Sequence, residues 1–286
     1  MTMLRIDHAK KVYKKRTAIS DANMSFNGKG LYLIAGPNGS GKTTLLESIV
    51  GLRRLSSGSI VVEPNSAKIA FLFQENNLRK LNTVREEFQL VLKLYQRNIS
   101  ERQVADQYQL TEFLDTRTAN LSGGTKRRVL IAMTLMTEAP IVILDEPASG
   151  LDTFNRKEIW NLIKQYGKNH LVIVSDHYLN QAADYCDFVY MLHAGKIVES
   201  GLIPELESQL RKFVYTPIDI NQLRPIERDL KEQGIDYISR STGKNFYLYT
   251  DSSVRTTNIL NNHRVSIYSL TFEDGYLMYT GDDVNE

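Results

Sequence analysis

The stretch Gly36-Pro-Asn-Gly-Ser-Gly41-Lys42-Thr43-Thr44 constrains this chain more than any other feature. It follows the apolar run Leu31-Tyr-Leu-Ile-Ala35 and leads into Thr43 to Val50, which reads as the start of a helix. Strand, glycine loop and helix in that order, with the spacing G-x-x-x-x-G-K-[ST], make a phosphate-binding loop. The backbone N–H groups must turn inward around the phosphates, and a Cβ on the glycines would obstruct the dihedrals or the approach. Lys42 then brings a point charge to the β- and γ-phosphates and the Thr43 hydroxyl can ligate Mg²⁺. The following helix directs its positive end at the anion.

Further apolar runs, Ile69-Ala-Phe-Leu-Phe73, Ile141-Val-Ile-Leu144 and Leu171-Val-Ile-Val174, read as buried strands. The last two are separated by a helix around Lys157 to Tyr166, so an α/β domain with a parallel sheet is expected. Between Glu75 and about Asn120 the pattern is helical, with Val84, Phe88, Val91, Leu94 and Tyr95 recurring at spacings of three and four. After a turn region from Gly195 to Gly201 and a helix from Pro204 to Leu210, the pattern starts afresh. Phe213 to Tyr215, Asp236 to Ser239, Asn245 to Thr250 and Arg264 to Tyr268 read as strands. Asn221 to Gln233, Ser252 to Asn261 and Thr271 to Tyr279 read as helices. The order βαββαβ predicts a small α+β, ferredoxin-like domain. The expected division is residues 1–210, with a helical subdomain at about 75–135, and residues 211–286.

A content of 42% hydrophobic and 24% charged residues is that of an ordinary globular protein. The net charge of +2 gives no reason to expect a nucleic-acid surface. Cys186 is the only cysteine, which excludes an intramolecular disulfide and reads as a small buried apolar group. The amino terminus lacks the pattern of a signal peptide, and no apolar run approaches the ~20 residues that cross a bilayer. A chain kept in the cytosol is therefore expected.

Asp145-Glu146-Pro147, at the end of the strand Ile141 to Leu144, supplies a second half for a nucleotide site. Asp145 is the metal-side carboxylate, and Glu146 the one placed to orient or deprotonate an attacking water. A strand that merely ends in two acids would look the same; the phosphate loop upstream favours the site. Between the two halves lies Leu121-Ser122-Gly123-Gly124-Thr125. Ser122 is a good N-cap, the glycines leave amides uncovered, and the helix that follows offers a second anion site.

With these residues the chain resembles the ABC ATPase family, whose signature is LSGGQ. The resemblance spans roughly residues 4 to 201 and implies a cassette with a RecA-like core, an antiparallel β subdomain and a helical subdomain. It implies two cassettes paired head to tail around two ATP molecules. In each site Asn38, Gly39, Ser40, Gly41, Lys42, Thr43 and Thr44 hold ATP in cis, while Ser122, Gly123, Gly124 and Asp152 cover it in trans. Mg²⁺ is assigned to Thr43, Gln74 and Asp145. Gln74 resembles the Q-loop glutamine, Ser149-Gly-Leu-Asp152 the D-loop, and His177 the switch histidine that contacts the γ-phosphate. Glu146, His177 and Gln74 make the catalytic set. Tyr13 resembles the aromatic that stacks on adenine, and a packing role fits it nearly as well. Thr125 departs from the usual glutamine, which bears on the fine fit of the interface.

The family pattern, with no membrane span in the chain, implies the ATP-hydrolysing subunit of a transporter. It would sit on the inner face of the membrane, bound to a separate permease, with a second copy of itself as partner. The carboxy-terminal ending resembles the tail of exporter ATPases, and export is the expected direction. Phe88, Leu90, Leu94 and Tyr95 either line the contact with the membrane subunit or form the core of the helical insertion. A soluble ABC ATPase of translation or chromosomes is the alternative, but this sequence carries neither a second cassette nor long heptad insertions.

Overall fold

A computed structural model of the chain describes residues 3–14, 16–75 and 77–283; Met1, Thr2, Lys15, Asn76 and residues 284–286 lie outside them. The chain divides into two compact units, Met1–Ile197 and Val198–Glu286.

In the first unit the elements run β1 (Met3–Tyr13), β2 (Arg16–Asn27), β3 (Gly30–Ala35), α1 (Lys42–Ile49), β4 (Ser57–Glu63) and β5 (Ile69–Leu72). They continue with α2 (Val84–Leu94), α3 (Glu101–Gln107), α4 (Gly123–Leu135), β6 (Ile141–Asp145), α5 (Thr153–Gly167), β7 (Leu171–Asp176), α6 (Leu179–Ala183), β8 (Phe188–His193) and the start of β9 (Lys196–Leu202), a strand that crosses the division. One nine-stranded sheet has the order β4-β1-β2-β9-β8-β3-β7-β6-β5. β1 pairs antiparallel with β2 and β4. Parallel pairing joins β8, β3, β7, β6 and β5. Every residue of β6 and β7 is buried, so up to Leu144 and Val174 these strands read as unbroken apolar runs instead of alternating ones.

Parallel pairing aligns the carboxyl ends of these strands at one edge. Ala35 stands opposite Asp176, Ser175 opposite Asp145, and Leu72 opposite Leu144. The residues just past those ends, the glycine loop, Gln74, Glu146 and His177, are brought together by register. This is where α/β sheets bind ligands.

The helical part is anchored locally. Thr83 and Glu86 form a capping box on α2, and Ser100 and Gln103 form one on α3, each cap contributing about 1 kcal/mol. The buried face of α2 comprises Val84, Phe88, Val91 and Leu92. Phe88 is completely buried, so it belongs to the core and is unavailable to a partner, whereas Leu94 and Tyr95 are exposed. Leu90 is half-buried.

The second unit contains α7 (Ile203–Leu210), β10 (Phe213–Ile218), α8 (Ile220–Glu232), β11 (Tyr237–Thr242), β12 (Asn245–Asp251), α9 (Val254–Asn262), β13 (Tyr268–Ser269), α10 (Phe272–Thr280) and β14 (Asp282–Asp283). Its antiparallel sheet has the order β13-β10-β12-β11-β14. The first four strands form two βαβ crossovers, each split by an antiparallel strand. Leu223, Ile226 and Leu230 of α8 and Leu260 of α9 share one core with Ile218 and Leu248 of the sheet.

Three local expectations are corrected. The segment from Gly195 to Gly201 is no turn region, because only Ala194 and Gly195 turn, both at positive φ, and β9 follows at once. The strand expected over Arg264 to Tyr268 is reduced to Tyr268–Ser269, pairing at the sheet edge with Val214 and Tyr215 alone. Helix α7, expected to close the first domain, groups with the second unit, where α10 packs against it.

Candidate functional site

The loop after β3 is shaped by glycine. Gly41 sits at φ 113°, and a Cβ there would lie 2.4 Å from the carbonyl oxygen of Ala18. A Cβ on Gly36 would lie 2.2 Å from that of Leu192. No side chain caps α1, whose first N–H groups are therefore presented to the loop. The Ser40 hydroxyl is buried without a hydrogen-bond partner. An uncapped helix end, a buried unpaired hydroxyl and a loop that excludes Cβ atoms together fit a phosphate chain.

Lys42 reaches back across this loop. Its Nζ donates to the carbonyls of Gly36 (2.7 Å) and Pro37 (3.1 Å) and stands 3.6 Å from Glu146 Oε1. Burial lowers the pKa of Lys42, and the carboxylates of Glu146 and Asp145 oppose the shift.

Asp145 ends β6, almost wholly buried, and accepts a hydrogen bond from the Ser175 hydroxyl on the neighbouring strand. Burial raises its pKa, while hydrogen bonds from Ser175 and Thr43 pull it down. The hydroxyl and carboxylate assigned to Mg²⁺ from the sequence are thus in contact. Among the described residues no group of three His, Cys, Asp or Glu side chains could cage a metal. Thr43 and Asp145 suit an ion held by one or two protein oxygens plus phosphates and water, the usual arrangement for Mg²⁺.

Glu146 is the hub of the site. Its backbone is left-handed, φ 45°, a conformation sparsely populated by residues other than glycine. Its N–H donates to Ser175 Oγ at 3.0 Å. Gln74 Nε2 donates to Glu146 Oε2 at 3.1 Å, and His177 Nδ1 stands 3.3 Å from the same oxygen without hydrogen-bond alignment. The turn that carries His177 is fixed by Asp176, whose carboxylate accepts from the N–H groups of His177 (2.7 Å) and Tyr178 (2.9 Å). Burial raises the pKa of Asp176, and these two N–H groups counter it.

A cleft of about 290 Å³ runs over the loop, lined among others by Tyr13, Asn38, Gly39, Gly41, Lys42, Thr43, Thr44, Gln74 and Glu146. The Tyr13 ring has Lys11 Nζ 4.9 Å and the Arg53 guanidinium 5.7 Å from its centroid. Ser122, Gly123, Gly124 and Asp152 do not line the cleft. They form a second locus. Ser122 caps α4 by accepting from Thr125 N–H at 3.1 Å, and the Thr125 hydroxyl is 2.8 Å from that of Ser122. At this departure from LSGGQ the shorter side chain is engaged in the cap itself. Asp152 caps α5 through the Asn155 N–H, which with the Asn155 amide keeps its carboxyl below the usual range. The Asn155 side chain packs against Gly124, so signature and D-loop are neighbours.

Four contributors carried no sequence signal. Arg16 lines the cleft and approaches Gly39 O at 3.4 Å. Ser175 joins both acids. Arg156 donates to Leu151 O and to Gln181, with its guanidinium 4.2 Å from the Tyr178 ring centroid. Arg127, within a run of three basic residues, is buried behind Glu146.

A phosphate loop after a central parallel strand, with carboxylates past the tips of its neighbours, defines a P-loop nucleotide hydrolase. The chain belongs to the ABC transporter family, whose pattern its residues 19–149 match. It is 31% identical over 219 residues to the lipopolysaccharide export system ATP-binding protein LptB of Haemophilus influenzae, covering 70% of this chain and 91% of the relative. It is 30% identical over 206 residues to the lantibiotic transport ATP-binding protein SrtF of Streptococcus pyogenes, covering 68% and 89%. Among solved structures, the dimeric post-hydrolysis state of an ATP-binding cassette with ADP and Pi superposes with TM-score 0.62 at 25% identity, over 70% of this chain and 98% of that one. The chain is an ATP-binding subunit of the ABC transporter family and an ATPase. Among the described residues no helix is long and apolar enough to cross a membrane.

Proposed function

We propose that two copies of this chain close head to tail on two ATP molecules and hydrolyse them with Mg²⁺ to drive export through a separate membrane subunit. The observation that carries this reading is the convergence of Lys42, Gln74 and His177 on the carboxylate of Glu146, beside the phosphate loop. Glu146 orients and deprotonates water, His177 and Lys42 bear on the γ-phosphate, and Gln74 links the site to the helical part. Thr43 and Asp145 would hold Mg²⁺, which would supply charge neutralisation on the phosphates. Ser122, Gly123, Gly124 and Asp152, outside the cleft of their own chain, are suited to cover the partner's ATP.

The separate membrane subunit is supported by exposed apolar residues in and beside the helical part: Phe73, next to Gln74, together with Leu81, Leu94 and Tyr95. Export is supported by relatives named for lipopolysaccharide and Nod factor export, although a sulfate/thiosulfate import protein is also 30% identical. The chain would then lie at the cytoplasmic face of the membrane.

Two outcomes check the reading. Lys42→Ala removes the buried cation from the loop and is expected to weaken ATP binding by about 10²-fold, some 3 kcal/mol, measured by titration with a fluorescent ATP analogue. Affinity equal to wild type would remove Lys42 from the phosphate site. The full chain, tagged and purified from detergent-solubilised native membranes, is expected to bring down one polytopic membrane protein in stoichiometric amount. Co-sedimentation with ribosomes in its place would favour the soluble class of ABC ATPase.

A further inference from the structure

Arg127 lies one turn into α4, the helix whose amino-terminal end carries Ser122, Gly123 and Gly124. Only 8% of the residue is exposed, and its five hydrogen bonds all run to main-chain carbonyls. Nε donates to Pro147 O at 2.6 Å. Nη1 donates to Phe73 O (3.3 Å) and Gln74 O (3.2 Å). Nη2 donates to Asp145 O (3.1 Å) and Glu146 O (2.9 Å). Burial pushes its pKa down to about 10 against the pull of Asp145 and Glu146, so it remains a cation at neutral pH.

The carbonyls it gathers belong to the two segments that hold the candidate water-orienting carboxylate and its glutamine partner. The carbonyls of Asp145 and Glu146 flank the left-handed φ of Glu146. Both point at one nitrogen, and rotating that φ toward the ordinary range would swing them apart. Sparsely populated backbone persists where its surroundings over-determine it, and a planar five-donor guanidinium is the side chain that can do so from one side. The residue that carries this group belongs to α4.

We propose that Arg127 is a positioning residue that pins the Glu146 turn to the signature helix. The aim of Glu146 in a subunit's own site thereby depends on how Ser122 to Gly124 of that subunit are seated on the partner's nucleotide. This rests on the reading of Glu146 given above and adds to it a physical link between the two ATP sites. Arg127 does not line the cleft, and none of its hydrogen bonds runs to the phosphate loop, so its loss should separate turnover from nucleotide affinity.

The test compares the full chain with Arg127→Gln, Arg127→Lys, and Glu146→Gln as reference, measuring kcat, KM, ATP affinity and the thermal shift induced by ATP. In Arg127→Gln, kcat is expected to fall by about 10²-fold, the usual effect of a misplacement near 1 Å. ATP affinity and the ATP-induced thermal shift should stay as in wild type. Arg127→Lys, which keeps the cation but not the planar fork, should fall between the two. If Arg127→Gln does not fold, the same split between kcat and affinity in Arg127→Lys decides. A kcat within about threefold of wild type, or a loss of affinity in parallel with kcat, overturns the proposal. Wild-type turnover in Glu146→Gln would sink the reading of Glu146 and this inference with it. A dead Glu146→Gln beside a fully active Arg127→Gln would sink this inference alone.

Discussion

Glu146→Gln is expected to bind ATP as tightly as the native chain while losing turnover by about 10²- to 10⁴-fold, the range for removal of a general base. The substitution is isosteric and leaves the hydrogen-bonding frame in place. The Glu146 main-chain N–H still donates to Ser175, its carbonyl still accepts from Arg127, and an amide oxygen can still accept from Gln74. What disappears is the charge and basicity of the carboxylate that lies close to Lys42, Gln74 and His177 together. Removing that anion from beside Lys42 also frees the ammonium for phosphate, so affinity should not fall. The variant should accumulate as an ATP-bound dimer, read by sedimentation with ATP and by phosphate release. Wild-type phosphate release would transfer the role to another group, with His177, 3.3 Å from Glu146 Oε2, the first to test.

Such a test could be written from the amino-acid sequence because the chemistry of the phosphate loop lives in the backbone. Gly36 and Gly41 are required by contacts at 2.2 and 2.4 Å with main-chain oxygens, and constraints that absolute leave a pattern in the letters. The fully buried strands β6 and β7 are legible for a similar reason, since a parallel strand covered on both faces admits almost nothing but branched apolar residues. Arg127 was illegible. In Lys126-Arg127-Arg128 all three residues look like a solvated basic face, and only the packing of α4 against β5 and the loops after β5 and β6 turns the middle one inward. Ser175 was hidden in the same way, a small polar residue inside an apolar strand that joins the two acids. In the segment from Gly195 to Gly201 two glycines suggest a turn region, whereas Ala194 and Gly195 suffice to reverse the chain and β9 starts beside β2. The edge strand β13 is shorter than the pattern suggests because apolar content alone does not tell how many residues find a partner.

Gly123→Asp isolates the claim that the working unit is a pair of cassettes. Nothing lies within 4 Å of a Cβ built on Gly123, and its φ is not positive, so the substitution costs the monomer neither contact nor backbone strain. It lies outside the cleft that contains Lys42, so ATP binding to the isolated chain should match wild type. An added carboxylate in the first turn of α4 is even favourable to the helix, by about 0.3–1 kcal/mol. On the proposed arrangement this same end of α4 must receive the γ-phosphate of the partner's ATP, and a carboxylate there meets that anion in a closed, poorly solvated interface. Like charges placed opposite each other across an interface cost several kcal/mol, which corresponds to about 10²-fold or more in association. The expected result is a well-folded chain with normal ATP affinity, no ATP-dependent dimer in the Glu146→Gln background, and hydrolysis lost in the native background. Substitution by alanine at the same position, which adds bulk without charge, should retain most of both activities and so separate repulsion from steric exclusion. A fully active Gly123→Asp would mean that the Ser122 to Gly124 surface never meets nucleotide, and that each chain completes its site alone.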